Sequence, residues 1–160
     1  MDKELLMTDT IVFDAKPDAV PFNYRISYKM GQLCLILGMC SRKGSSFMKI
    51  QMIANAMNDE DEKKKLLKFV DSESYEMKTI RFDPAVNRVL RYAVADEMVE
   101  QLPSGSFILT EKGKLFVSKI LEEKNLMSSE IEFLNRVSKK LTEKKISKLI
   151  EWWDSKNAKS

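Results

Sequence analysis

A chain of 160 residues with 44% hydrophobic content can bury one ordinary core and little more. Its 27 basic and 24 acidic side chains leave a formal charge of +3, too small an excess to imply nucleic-acid binding by charge alone. The sequence holds no histidine, which excludes a Ser-His-Asp triad, a Cys-His pair and any histidine metal site, and no glycine-rich phosphate loop of known type occurs. No residue is marked out as catalytic, so the composition reads as that of a non-enzymatic protein with no metal and no cofactor. Cys34 and Cys40 sit about 9 Å apart along one apolar helix and on different faces, as reduced core thiols would. No signal peptide opens the sequence. Its longest apolar stretch, Leu33 to Cys40, is far short of the roughly 20 residues of a membrane span, so a cytoplasmic protein is expected.

In chain order, residues 1–27 read as an arm. They are mildly acidic, broken by Pro17 and Pro21, and carry one apolar cluster, Ile11-Val12-Phe13, which suggests a single strand. Tyr28 to Cys40 is apolar on nearly every face and predicts a helix central to the core. After the turn Ser41-Arg42-Lys43-Gly44, Ser45 or Ser46 caps a second helix running through Met57. Asp59 and Glu62 have capping-box spacing and open a third, whose Leu66, Leu67, Phe69 and Val70 dock its far end. Tyr75 to Phe82 alternates weakly and predicts a short strand.

Asp83-Pro84 starts the next helix abruptly, with Asp at the cap and Pro where its missing N–H costs nothing. Val86, Val89, Leu90, Ala93 and Val94 predict its buried stripe to about Val99. A hairpin follows, Val99 to Leu102 and Ser106 to Leu109, turning through Pro103-Ser104-Gly105. Thr110 caps a helix carrying Leu115, Phe116, Val117, Ile120 and Leu121. Ser129 and Glu132 form a second capping box ahead of Ile131, Leu134, Val137 and Leu141, and Ile146, Leu149, Ile150 and Trp153 mark the last helix.

The fold class is therefore mainly α (α+β): a winged helix with an inserted third helix, an N-terminal arm and two C-terminal helices. The divisions fall at 1–27, 28–125 and 126–160. The most specific piece is Phe107-Ile108-Leu109-Thr110-Glu111-Lys112-Gly113, since the second wing strand of many winged helices ends in Leu-Thr with the Thr as helix cap.

In a DNA-binding winged helix, the helix before the hairpin enters the major groove. Here it offers Asn87, Arg88 and Arg91 on one side, side chains suited to adenine and guanine edges. Asp83, Asp96 and Glu97 outnumber its arginines, however, and the wing turn has no cation, so Arg88 and Arg91 are expected to pair with acidic groups of this chain or of a partner. Basic character concentrates further on, in Arg136, Lys139, Lys140, Lys144, Lys145, Lys148, Lys156 and Lys159 against Glu143, Glu151 and Asp154. This surface suits phosphate or an acidic partner, or is simply a solvated face. Trp152 points about 100° away from Trp153 and must reach a second surface or lie exposed. With Ile11 and Phe13, the two tryptophans are candidate interface anchors.

Two stretches carry a family resemblance: Tyr24-Arg25-Ile26-Ser27-Tyr28-Lys29-Met30-Gly31-Gln32-Leu33-Cys34-Leu35-Ile36-Leu37, and Ile80-Arg81-Phe82-Asp83-Pro84-Ala85-Val86-Asn87-Arg88 running into the hairpin and Leu109-Thr110-Glu111-Lys112-Gly113. They resemble the small middle component of bacterial three-component ABC-ATPase systems, the Lamassu-type antiphage systems among them, over roughly Tyr24 to Ile120. The resemblance implies a subunit that bridges an SMC-like, DNA-sensing ATPase and an effector, often a nuclease, and holds the effector inactive until foreign DNA is sensed. Any DNA contact would be weak or made through the complex. The alternative is a homodimeric winged-helix transcriptional regulator, with the terminal helices as dimer seam.

Overall fold

The computed structural model describes residues 26–41, 43–72, 80–123 and 125–158. The expected arm up to residue 25, with Ile11 and Phe13, lies outside the described residues, as does the expected strand from Tyr75 to Thr79. Among the described residues there are seven helices and one hairpin: α1 (Ile26–Cys40), α2 (Phe47–Asn58), α3 (Glu60–Ser72), α4 (Pro84–Ala95), β1 (Val99–Gln101), β2 (Phe107–Leu109), α5 (Glu111–Glu122), α6 (Ser128–Val137) and α7 (Glu143–Ala158). The chain is thus mainly helical with a small antiparallel sheet. No helix among the described residues is long and apolar enough to cross a membrane.

The all-round apolar sequence of α1 has the expected consequence. Its residues from Tyr28 to Leu37 are buried without a break, because α2, α4, α5, α6 and β2 all pack on it. Gly31 lets the start of α6 come close, since a Cβ there would stand 3.0 Å from the Met127 sulfur. Leu134, Val137, Ile146 and Leu149 of the two terminal helices, with Leu141 between them, join the same hydrophobic cluster, so α6 and α7 are packed into the core.

Local chemistry sets most helix starts. The Ser46 and Thr110 hydroxyls accept from the N–H groups of Lys49 and Gly113, and the Asp83 carboxylate accepts from Ala85 N–H. The Asp59 carboxylate accepts from Asp61 and Glu62 N–H. Of the two candidate serines, Ser46 is the cap, and its neighbour turns inward. Ser45 exchanges two backbone hydrogen bonds of 2.9 Å with Phe107, an isolated antiparallel bridge to the hairpin, whose own register pairs Val99 with Leu109 and Gln101 with Phe107.

Three expectations are corrected. The short strand before α4 does not form at Ile80–Phe82; the Arg81 carbonyl there accepts instead from the Asn55 amide. The fourth helix stops at Ala95 rather than near Val99, because Glu97 adopts a left-handed φ of 60°. Glu97 N–H then donates to Val94 and Met98 N–H to Ala93, and Met98 closes this Schellman end by burying its side chain. Finally, Ser129 does not cap α6. Met127 occupies the cap with φ 54° and no side-chain bond, and Ser129 donates instead to the Glu130 carboxylate. Burial of Met127 against α1 outweighs the local capping signal.

The strictest steric demand lies at Gly113, where a Cβ would fall 2.2 Å from the Met98 carbonyl oxygen, itself the acceptor for Thr110 N–H. Gly113→Ala should lower stability by about 2 kcal/mol, the scale of forced core overpacking. Ser45→Ala should be neutral or slightly stabilising, since the buried Ser45 hydroxyl meets no hydrogen-bond partner among the described residues. Urea unfolding of both variants checks the pair, and a tolerated Gly113→Ala would contradict the close approach.

The buried thiols supply a pH prediction. Burial pushes Cys34 from an ordinary 9.0 up to about 12, and Cys40 up to about 11. The native state therefore holds protons that the unfolded chain releases. Stability is unaffected by the thiols below pH 9 and falls as pH rises above it. Between pH 9 and 10, urea midpoints of wild type should fall more steeply than those of a Cys34→Ala/Cys40→Ala variant. Equal slopes would contradict the assignment.

Candidate functional site

Helix α4 and its approach segment organise the surface on which most sequence candidates fall. Asp83 anchors that helix to the body from three directions. Its N–H donates to Gln51 Oε1 at 3.1 Å, its carbonyl accepts from Gln51 Nε2 at 3.4 Å, and its carboxylate lies 3.9 Å from the Lys29 ammonium. Burial pulls Lys29 below the usual lysine range, a shift that Asp83 opposes and Arg88 reinforces. The two sequence stretches that carry the family resemblance thus meet at Lys29 and Asp83. Beside them opens a polar cavity of about 420 Å³, lined by Lys29, Asn55, Asn58, Asp59, Glu62, Arg81, Phe82, Asp83 and Pro84. Its wall belongs to a hydrogen-bonded chain in which Asn58 and Gln32 pair, Gln32 donates to Tyr28, and Tyr28 donates to Glu130.

Val86, Val89, Leu90 and Ala93 face the core, so the opposite crest of α4 is turned outward. Asn87, Arg88 and Arg91 are all exposed on it, as the sequence spacing requires. Tyr92, Val94 and Phe82 are exposed beside them, with Phe82 stacked on Phe47 at 6.0 Å between ring centroids. The arginines were expected to pair with acidic groups of this chain or of a partner; among the described residues neither makes an ion pair or hydrogen bond. Val94 was expected in the buried stripe; it lies at the edge of the crest, 40% exposed. Past the end of α4, a groove of about 640 Å³ is lined by Val94, Val99, Glu97, Glu100 and Glu111, with Lys112 at its side.

The basic terminal face divides in two. Lys140 pairs with Asp71 at 2.8 Å, and Lys145 donates to the Val70 carbonyl at 3.1 Å. With Arg136 nearby, these cations hold the Asp71 carboxyl below its ordinary range, chiefly through the Lys140 hydrogen bond. They fasten the terminal helices to the end of α3. Lys139, Lys144 and Lys148 are exposed and engage no partner among the described residues. Trp152 and Trp153 are half-buried. Its direction on the helix left Trp152 either to reach a second surface or to lie exposed; it is half-buried, with the Lys156 ammonium 4.4 Å above its ring.

Sequence reasoning missed a structural use of lysine. None of α1, α3 and α4 has a basic residue in its last turn, and each receives a lysine from elsewhere. Lys49 is buried and donates to Cys40 carbonyl at 2.6 Å, Lys145 to Val70, and Lys112 to Asp96 at 2.8 Å. Each cation meets carbonyls left unpaired at a helix end, where the backbone dipole is negative. No local sequence signal marks them, because the partners are separated along the chain.

No family model, curated protein or solved structure matches the chain.

The division of the basic face is testable. Lys145→Met should lower unfolding free energy by about 1 kcal/mol, the usual contribution of such a hydrogen bond. Lys144→Glu and Lys148→Glu should leave it within about 0.5 kcal/mol, as exposed substitutions do. Equal losses from all three would show that the face acts as one structural network.

Proposed function

We propose that this chain is a non-catalytic winged-helix subunit that bridges an SMC-like DNA-sensing ATPase and an effector in a bacterial antiphage or antiplasmid complex, working in the cytoplasm. The observation that carries the reading is the Lys29–Asp83 seam, which joins the two stretches bearing the resemblance into one unit of structure. Asp83 and Pro84 there set the start and direction of α4.

The winged-helix part of the reading is supported by the element order. The helix α1, the bridging residue Ser45, the helix α2, the helix α4 and the hairpin follow one another as the three helices and three strands of a winged helix, with α3 inserted. The bridge from Ser45 to Phe107 also ties the hairpin to the chain between α1 and α2, where a winged helix has its first strand. Absence of histidine and of a phosphate loop supports a subunit that acts through surfaces. Lys139, Lys144 and Lys148, exposed and without a partner among the described residues, suit an acidic coiled coil, to which the half-buried tryptophans of α7 would add apolar contact.

The second reading, a homodimeric DNA-binding regulator, is favoured by one observation: Asn87, Arg88 and Arg91 stand exposed together on α4. Co-expression with the products of the neighbouring genes separates the two. The bridging reading predicts co-purification with an ATPase or effector, weakened by Trp152→Ala or by Lys144→Glu/Lys148→Glu while circular dichroism is unchanged. No association with either neighbour, together with sequence-specific duplex binding lost in Arg88→Ala/Arg91→Ala, would overturn it.

A further inference from the structure

The crest of α4 and the groove beyond its C-terminal end are complementary to one another but cannot meet within one molecule. Arg88 and Arg91 sit mid-crest without an ion pair or hydrogen bond among the described residues. Glu97, Glu100 and Glu111 line the groove, and their carboxylates are exposed. Among the described residues, only Glu111 of these has an ion-pair partner, Lys114 at 3.3 Å. Lys112, the cation lining the groove, is engaged with the Asp96 carbonyl. Apolar surface follows the same division: Phe82 is 57% exposed at the N-terminal end of the crest, and Val94, 40% exposed, forms part of the groove.

From Pro84, where α4 begins beside Phe82, to Val94 is about 15 Å along a helix at 1.5 Å per residue, so the aromatic end of the crest and the negative, aliphatic groove lie too far apart to satisfy each other. An antiparallel second copy removes the mismatch. A two-fold axis crossing α4 at Tyr92 sets residue 88 of one helix opposite residue 96 of the other, and does so twice. Each copy then offers Arg88 and Phe82 to the other's groove, beside Glu97 and Glu100. Such a self-complementary patch is what an isologous interface requires.

We infer that the exposed face of α4, with the groove past its C-terminus, is a homotypic docking surface that joins two copies of this chain antiparallel. Duplex DNA is the less favoured occupant of the same face. The groove carboxylates would stand beside phosphates, and the wing turn at Pro103-Ser104-Gly105 has no cation to hold them. Exposed aromatic and aliphatic side chains beside arginine are the composition of a protein contact. The inference does not depend on the ATPase-bridging reading, since a paired subunit serves either assembly.

Sedimentation velocity of the full chain across a concentration series tests it. Wild type should show a concentration-dependent monomer–dimer equilibrium. Arg88→Glu and Glu97→Arg should each weaken it roughly tenfold or more, as like charges now face each other across the two-fold axis. The double variant Arg88→Glu/Glu97→Arg should recover most of the lost affinity, a result that misfolding cannot produce. A chain monomeric at every concentration would overturn the proposal. So would a dimer indifferent to Arg88→Glu, or a double variant no better than either single change. A monomer that binds duplex DNA through Arg88 would assign the face to nucleic acid instead.

Discussion

The structure depends on one constraint: α1 is apolar on nearly every side, so it must be covered on nearly every side. A helix with one apolar stripe can lie on a surface. A helix whose residues 28 to 37 are all buried has to be surrounded. Here α2, α4, α5, α6 and β2 supply the cover, which fixes which face of each points inward. The exposed crest of α4 follows from that arrangement. Since α4 gives Val86, Val89, Leu90 and Ala93 to α1, its arginines have only the outside left to them.

Surrounding a helix so closely brings polar groups into the interior, and the chain meets them with side chains taken from distant positions. Lys49 satisfies a buried carbonyl at the end of α1, while Lys145 and Lys112 meet a part-buried and an exposed one at the ends of α3 and α4. Gln51 brackets the backbone of Asp83, and Gln32 with Asn58 and Tyr28 carries a buried hydrogen-bonded chain to Glu130. Buried polar groups are expensive unless paired, so each of these contacts also fixes the relative position of two elements. The Lys29–Asp83 contact has a different balance. Burial disfavours the Lys29 charge, and Asp83, itself partly exposed, offsets this only in part. The pair therefore specifies where α4 begins more than it stabilises the fold.

Much of this was legible in the sequence, where the deciding physics is local. Caps at Ser46, Asp59, Asp83 and Thr110 need only a side chain and the backbone two or three residues on, and all four form. The outward placing of Asn87, Arg88 and Arg91 follows from helical spacing against a buried valine stripe. What the sequence hid depends on remote partners. Glu97 carries a left-handed turn usually given to glycine, since Met98 behind it is buried and Thr110 holds the Glu97 carbonyl. Met127 displaces Ser129 as the start of α6 because it packs on Gly31, nearly a hundred residues earlier. The basic face looked uniform in sequence, and only the meeting of α3 with α7 separates Lys140 and Lys145 from Lys139, Lys144 and Lys148.

If α1 is the element on which the others depend, its backbone can open only when the whole fold opens. Native-state hydrogen exchange measures this residue by residue. Amides of Met30 to Leu37 should exchange with the free energy of global unfolding, while the outer turns of α7 and the exposed turns of α5 exchange through smaller openings. The urea dependence of the α1 amides should match that of global unfolding. Exchange from α1 through a local opening that leaves α4 and α5 protected would contradict the account.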